Sequence, residues 1–234
     1  MTMKKSYFIR FPHPPGGAWS RSRTLPDSSS NGSSNPEAPL FNKGVKEASA
    51  QQLPMPPSGI YHSLDLPESI KTFYRAAGVL CYARRTLWGC TGEVVPVTAL
   101  LLGQQEVNGA TEKWGGRRFC WADFGGKREA RDVSPEATAK RELSEETSNV
   151  FDGAQLHRLC VWNRTSKYVM YFGEVTLPAA MPPPNDEIKE FRWLERAQLV
   201  HSLRTGKSLF GVDLNYRVRA ALTPHRHIEI LRTL

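Results

Sequence analysis

The sequence predicts a mixed α/β fold, and three observations lead to this prediction. Segments with strand character alternate with helical segments along the chain. A length of 234 residues suits one domain with an added tail. The composition, 40% apolar and 23% charged, is that of an ordinary globular protein. Strands and helices mixed in this order favour an α/β or α+β layered arrangement.

The first sixty residues differ in composition from the rest of the chain. They hold 9 of the 17 prolines together with 10 serines, so they cannot bury enough apolar surface to offset their ordering entropy. We therefore expect residues 1–60 to form a disordered, Pro/Ser-rich basic tail, and residues 61–234 to form the folded domain. The tail carries 7 Lys or Arg against 3 acids, so it accounts for +4 of the net charge of +8.

The same tail bears on localisation. No acidic residue precedes Asp27, and the basic residues before it lie among serines and aromatics, as in mitochondrial or plastid transit segments. A cytoplasmic protein is the simpler prediction, and organelle import is the alternative. No apolar run of about 18 residues occurs, which excludes a membrane-spanning helix. The four cysteines lack metal-site spacing and are expected to be reduced, buried side chains.

Folded structure is expected to begin near Leu64. A helix with Pro67 at its first position would run to about residue 75. Apolar or aromatic runs predict strands at 77–83, 96–104, 119–124, 168–175 and 190–194. Further helices are predicted at 135–147, 197–203 and 214–222.

The helix over 135–147 carries the chemistry. Ser134 is a suitable N-cap and Pro135 a suitable first residue. At 100° per residue, Glu142, Glu145 and Glu146 gather on one edge of the helix. Like charges so placed repel, unless a hard cation such as Mg²⁺, or alternatively Mn²⁺, binds between them. The alternative interpretation is a solvated helix face with internal ion pairs.

A glycine pair precedes this helix. Gly125 and Gly126 would permit a tight turn that approaches a ligand closely, and Lys127 and Arg128 add positive charge there. This arrangement suits a pyrophosphate group.

These residues together resemble the Nudix hydrolase signature, Gx5Ex7REUxEExGU, in which U is bulky and apolar. Here Gly126 is followed after five residues by Asp132, and then by the run Arg141-Glu142-Leu143-Ser144-Glu145-Glu146. Three departures occur: Asp132 replaces the usual Glu, the following spacer has eight residues instead of seven, and Ser148 replaces the Gly. Weaker resemblance extends over residues 65–205.

The resemblance implies an α/β/α sandwich with a mixed sheet, and it implies roles for individual residues. Glu142, Glu145 and Glu146, with the backbone carbonyl of Gly126, would bind the metal. Arg141 would orient a glutamate by ion pairing, and Asp132 would support the loop. The general base could be Glu142 or Glu146, or a later residue: the candidates are Glu174, Glu187 and Glu190, and the last two rank above Glu174.

Substrate contacts are expected from two places. Lys127 and Arg128 would contact phosphate, and Trp162 with Arg164 is the most plausible aromatic and basic cluster for a base. Core packing is the alternative for Trp162, and it is the commoner role of a tryptophan. The leading hypothesis is a Mg²⁺-dependent pyrophosphohydrolase acting on a nucleoside diphosphate derivative. The basic tail and C-terminus motivate an alternative, an RNA 5′-end (cap or triphosphate) pyrophosphohydrolase with RNA as partner. A third hypothesis is a Nudix-fold module that binds a nucleotide or a partner without catalysis.

Overall fold

The computed structural model describes residues 54–88, 93–107, 119–176 and 181–234. The predicted tail lies outside these ranges up to residue 53, and its disorder stays a prediction. Ordered structure begins earlier than the expected Leu64, because the first strand, β1, covers Gly59–His62 and pairs with a later strand.

Within the described ranges, nine strands form one sheet in the order β1-β6-β7-β2-β3-β4-β9, with β5 paired to β2 and β8 to β3. The pairs β2–β7 and β4–β9 are parallel and the others are antiparallel, so the sheet is mixed. The other strands are β2 Ala76–Trp88, β3 Val94–Glu106, β4 Phe119–Ala122, β5 Phe124–Lys127, β6 Gln155–Asn163, β7 Tyr168–Glu174, β8 Ile188–Glu195 and β9 Asp213–Leu214.

Six helices lie in the described ranges: α1 Glu68–Phe73, α2 Pro135–Glu146, α3 Arg196–Thr205, α4 Tyr216–Leu222, α5 His225–Ile228 and α6 Ile230–Thr233. None of them combines the length and the apolar composition that a crossing of the bilayer requires.

Two apolar clusters cover the two faces of the sheet. Alternate residues of β2 divide between them, so that Leu80 lies in one cluster and Val79 in the other. Helices α1 and α2 pack on the Val79 face, and α3, α4 and α6 pack on the Leu80 face. The predicted α/β/α sandwich is therefore confirmed.

The expected strand over 119–124 is divided in two by Asp123. β4 pairs with β3, whereas β5 pairs with β2. Asp123 therefore lies at the point where the pairing partner changes from β3 to β2. Gly125 and Gly126 belong to β5 and pair with β2, so they do not form the expected tight turn. Gly125 lies opposite Gly78, and a β-carbon on either residue would collide with the hydroxyl of Tyr168.

Candidate functional site

Helix α2 begins and ends with the predicted signals. The side chain of Ser134 accepts a hydrogen bond from the Ala137 amide at 3.1 Å, and Pro135 is the first helical residue. After Glu146, the next turn is closed by Ser148 and Asn149, whose φ angles of 51° and 64° are left-handed. The helix therefore ends immediately after Glu146.

Asp132 and Arg141 form a buried ion pair beside this helix. Arg141 donates from Nε to Oδ1 at 3.1 Å and from Nη2 to Oδ2 at 3.0 Å. These bonds hold the pKa of Asp132 well below its usual range, and further bonds from the Glu129 amide and the Thr138 hydroxyl add to the effect. Arg141 also donates to the carbonyl of Lys127, which ties the end of β5 to α2. Asp132 thus closes the loop before the helix.

Glu146 is the most buried carboxylate of α2, with 4% of its surface exposed. Its Oε2 accepts from the Gly125 amide at 3.0 Å, and its Oε1 accepts from Gln105 Nε2 at 2.7 Å. Burial raises the pKa of Glu146 well above its usual range, and the charges of Asp123 and Glu142 raise it further. A bound cation would relieve this crowding of negative groups.

Glu142 lies one turn earlier and faces the same space. Its Oε1 is 2.9 Å from Arg141 Nη1, and its carboxylate packs directly on Gly126. Burial raises the pKa of Glu142, whereas the charge of Arg141 lowers it. Glu142, Glu146 and Gly126 are therefore brought together, as expected for one site.

Glu145 is more exposed than Glu142 and Glu146, and it shares Arg141 Nη1 with Glu142. Its side chain is 51% exposed and lies 2.9 Å from Arg141 Nη1 and 3.2 Å from Arg131 Nη2. It does not line the cleft that Glu142 and Glu146 share. In the described part of the chain, no three His, Cys, Asp or Glu side chains converge as a closed ligand set.

A cleft of about 1320 Å³ opens in front of Glu142 and Glu146. The cleft lining is rich in carboxylates, among them Glu129, Glu142, Glu146, Asp186 and Glu187. It also includes aromatic and basic residues, namely Phe119, Lys127, Tyr216, Arg217 and Arg219. A mixed lining of this kind suits an anionic ligand that also has an aromatic part.

The two later-loop candidates for a base are placed differently. Glu187 lines the cleft, and Asn185 fixes its loop by donating to the carbonyl of Glu146 at 2.8 Å and accepting from the Glu187 amide at 3.0 Å. Glu190 lies on β8, where it accepts from Arg192 Nε at 2.9 Å. The cleft lining includes Glu187 but not Glu190.

Three expected substrate residues lie outside the cleft lining. Trp162 is fully buried in the core and donates to the carbonyl of Pro56, so neither face of its ring can stack on a base. The backbone amide of Arg164 donates to the side chain of Ser58, and the residue is exposed next to β1. The guanidinium of Arg128 lies 4.7 Å from the ring centre of Tyr74. Of the expected substrate residues, only Lys127 reaches the cleft.

Several residues of the site were not anticipated from the sequence. Gln105, Tyr216 and Arg217 all line the cleft, and Asp123 is fully buried behind it. An aspartate inside an aromatic strand is an unusual feature that could have indicated Asp123. Arg217 had no such signal, because its partner Gly125 lies 92 residues away in sequence.

Comparisons with known proteins agree with the motif. A family model described as the NUDIX domain matches residues 87–210. No curated protein matches the chain.

Solved structures similar to this chain include members of the same family. A mutT/nudix family protein from Listeria innocua is 18% identical, over 67% of this chain and 88% of that one, with a TM-score of 0.37. The Ap4A hydrolase of C. elegans is 14% identical, over 55% and 84%, with a TM-score of 0.36. The ORF135 protein of E. coli is 14% identical, over 69% and 93%, with a TM-score of 0.35.

Proposed function

This chain belongs to the Nudix family, and from that premise we propose that it is a metal-dependent hydrolase that cleaves the pyrophosphate bond of a nucleoside diphosphate derivative. The observation that carries the proposal is the shared cleft of Glu142 and Glu146, whose lining also includes basic and aromatic residues. Carboxylates that meet in one cleft bind a hard cation, and a cation among them attracts phosphate oxygens.

The residues present fit Mg²⁺ or Mn²⁺. The acidic residues of the cleft lining offer carboxylate oxygens, which these ions prefer. Mg²⁺ is usually bound by one or two carboxylates together with waters and substrate phosphates. A site with fewer than three converging protein ligands among the described residues is therefore compatible with Mg²⁺. In this proposal Glu142 and Glu146 hold the ion with the Gly126 carbonyl, and Glu145 joins after a side-chain rotation.

The residues around these ligands would perform the chemistry as follows. When bound, the metal ion would neutralise phosphate oxygens and acidify a water. Arg141 would position Glu142, which it already contacts at 2.9 Å. Glu187 would accept the proton of the attacking water, since it lines the cleft and its loop is fixed to the end of α2 through Asn185. Glu190 is the weaker candidate because its carboxylate is bonded to Arg192.

Other residues of the cleft lining would bind the rest of the substrate. Tyr216 is 69% exposed at the start of α4, so its ring is free to stack on a nucleobase. Lys127 and Arg219 would contact the phosphates, and Phe119 would add apolar surface. Together they would favour a nucleotide over a simple polyphosphate.

A substrate panel tests the proposal. Purified protein would be incubated with Mg²⁺ or Mn²⁺ and with dinucleoside polyphosphates, ADP-ribose-like compounds, nucleoside triphosphates and capped or triphosphorylated RNA. When a nucleoside diphosphate derivative is hydrolysed in H₂¹⁸O, one of the two products should carry ¹⁸O on its phosphate. EDTA should stop the reaction. A Glu146→Gln variant treated in parallel would exclude a contaminating hydrolase.

Two outcomes would contradict the proposal in different ways. Preferred hydrolysis of RNA ends would assign the alternative function, and the affinity should then fall steeply with salt and depend on residues 1–60. Binding of a nucleotide without turnover of any compound would assign a non-catalytic module.

A further inference from the structure

Buried charged groups lie directly behind the proposed metal site. Asp123 is fully buried between β4 and β5, and its Oδ2 accepts a hydrogen bond from the hydroxyl of Tyr168. Its Oδ1 has no hydrogen-bond partner among the described residues. The guanidinium of Arg217 lies 5.1 Å from the ring centre of Tyr168, near the Asp123 carboxylate that Tyr168 contacts. Burial raises the pKa of Asp123, and the positive charge of Arg217 partly opposes that rise.

Arg217 also holds the backbone of β5. Among the described strands, β5 pairs with β2 alone, so the polar groups on its other edge need side-chain partners. For Gly125 these are Glu146, which accepts from the amide at 3.0 Å, and Arg217, whose Nη1 donates to the carbonyl at 3.0 Å. One residue of β5 is therefore bonded to α2 and α4 at the same time.

This contact comes from outside the matched family region. The family model ends at residue 210, whereas Arg217 lies on α4. Helix α4 is itself fixed, because Asn215 caps it and Val218 and Leu222 are buried in the core. The guanidinium is thus held by a rigid element, as a positioning group should be.

We propose that Arg217 is a positioning residue that holds Gly125 and Gly126 against α2, so that the Gly126 carbonyl, Glu142 and Glu146 stay in the geometry that binds the metal ion. The inference rests on the proposed function for the identity of that ion. Groups that orient metal ligands typically change metal affinity by 10- to 100-fold when they are removed.

The test measures Mn²⁺ binding without substrate, by electron paramagnetic resonance, on the full chain. We expect Arg217→Gln to weaken Mn²⁺ binding about 10-fold or more. Arg217→Lys should weaken it less, because Lys keeps the positive charge but lacks the several N–H donors of the planar guanidinium. Thermal unfolding of each variant identifies loss of fold. Arg232→Ala, which removes an exposed arginine paired with Glu229 on α6, is the matched control and should bind Mn²⁺ as the wild type does.

Kinetics on an active substrate add a second readout. A positioning role predicts a lower kcat and a higher Mg²⁺ concentration for half-maximal activity, with little change in substrate KM at saturating Mg²⁺. A folded Arg217→Gln variant with wild-type Mn²⁺ affinity would overturn the inference. If Arg217→Gln does not fold, a folded Arg217→Lys variant with wild-type Mn²⁺ affinity would overturn it. Failure of the wild-type protein to bind Mn²⁺ would overturn the proposed function as well.

Discussion

The carboxylate of Glu142 packs on Gly126 so closely that a β-carbon at position 126 would collide with both of its oxygens. Glycine is therefore required at this position by the glutamate and not by the backbone conformation, since Gly126 has no left-handed φ angle. The added β-carbon would collide with the end of the flexible Glu142 side chain. This carboxylate can move aside, so strand β5 can keep its position.

The two neighbouring glycines of β5 should consequently respond differently to alanine. Gly126→Ala should displace the Glu142 carboxylate, lowering kcat at least 10-fold while the free energy of unfolding changes by less than about 1 kcal/mol. Gly125→Ala should destabilise the fold by about 2 kcal/mol or more, because its β-carbon would lie 2.7 Å from the backbone oxygen of Ala77. Urea unfolding and kinetics on both variants check this contrast, and full activity of Gly126→Ala would contradict it.

Replacement of Glu146 by Gln should separate activity from stability. We expect kcat to fall about 100-fold or more, because a ligand of the metal ion is lost. The free energy of unfolding at pH 7 should stay the same or rise, since the change removes a buried charge that lies near Asp123 and Glu142. Glu136→Gln, on the exposed first turn of the same helix, is the control and should leave both quantities unchanged. A large loss of stability in Glu146→Gln would argue for a structural role instead.

Asp132 should contribute a pH-dependent part of the stability. Its pKa is lowered in the folded protein, so its contribution is complete above the unfolded pKa of about 3.9 and is lost as the pH falls through the folded value. Asp132→Asn should therefore lower the free energy of unfolding by about 2 kcal/mol at pH 7. The difference in unfolding free energy between the variant and the wild type should become smaller below about pH 4.

Urea unfolding across that pH range measures the effect. Glu68→Gln breaks an exposed ion pair with Lys71 and should cost less than about 0.5 kcal/mol at any pH. A difference between wild type and Asp132→Asn that stays constant down to pH 3 would contradict the lowered pKa.

Tyr216 should contribute to substrate selection. Tyr216→Ala should raise KM about 10-fold for substrates that carry a nucleobase, because base stacking on an aromatic ring contributes about 1–3 kcal/mol. KM for a polyphosphate without a base should stay the same, and Tyr216→Phe should behave as the wild type does. Equal effects on both substrates would show that the ring does not contact the base.

Local signals predicted helix α2 well, whereas ion binding by its glutamates stays a prediction. A capping serine, a proline at the first helical position and the spacing of the glutamates are all encoded within fifteen residues, so the sequence alone indicates them. Strand β6 was not predicted, because His157 and Arg158 interrupt its apolar pattern and its pairing with β7 shifts register between Leu156 and Cys160. Local patterns also failed where a side chain could serve either as a surface group or as a core group. Trp162 is the clearest case, since the sequence allows both a substrate role and a core role, and only its place in the apolar cluster on the Val79 face shows that it is buried.

The limits of the family match do not coincide with the limits of a folding unit. Only Leu87 and Trp88 of the central strand β2 fall inside residues 87–210, and α4 and α6 lie wholly beyond residue 210. A fragment cut at the matched boundaries would lose most of the strand that joins β7 to β3, and it would expose Leu199 and Leu203 on one side of the sheet. Dissection of this protein into a minimal catalytic fragment should therefore retain residues 54–234.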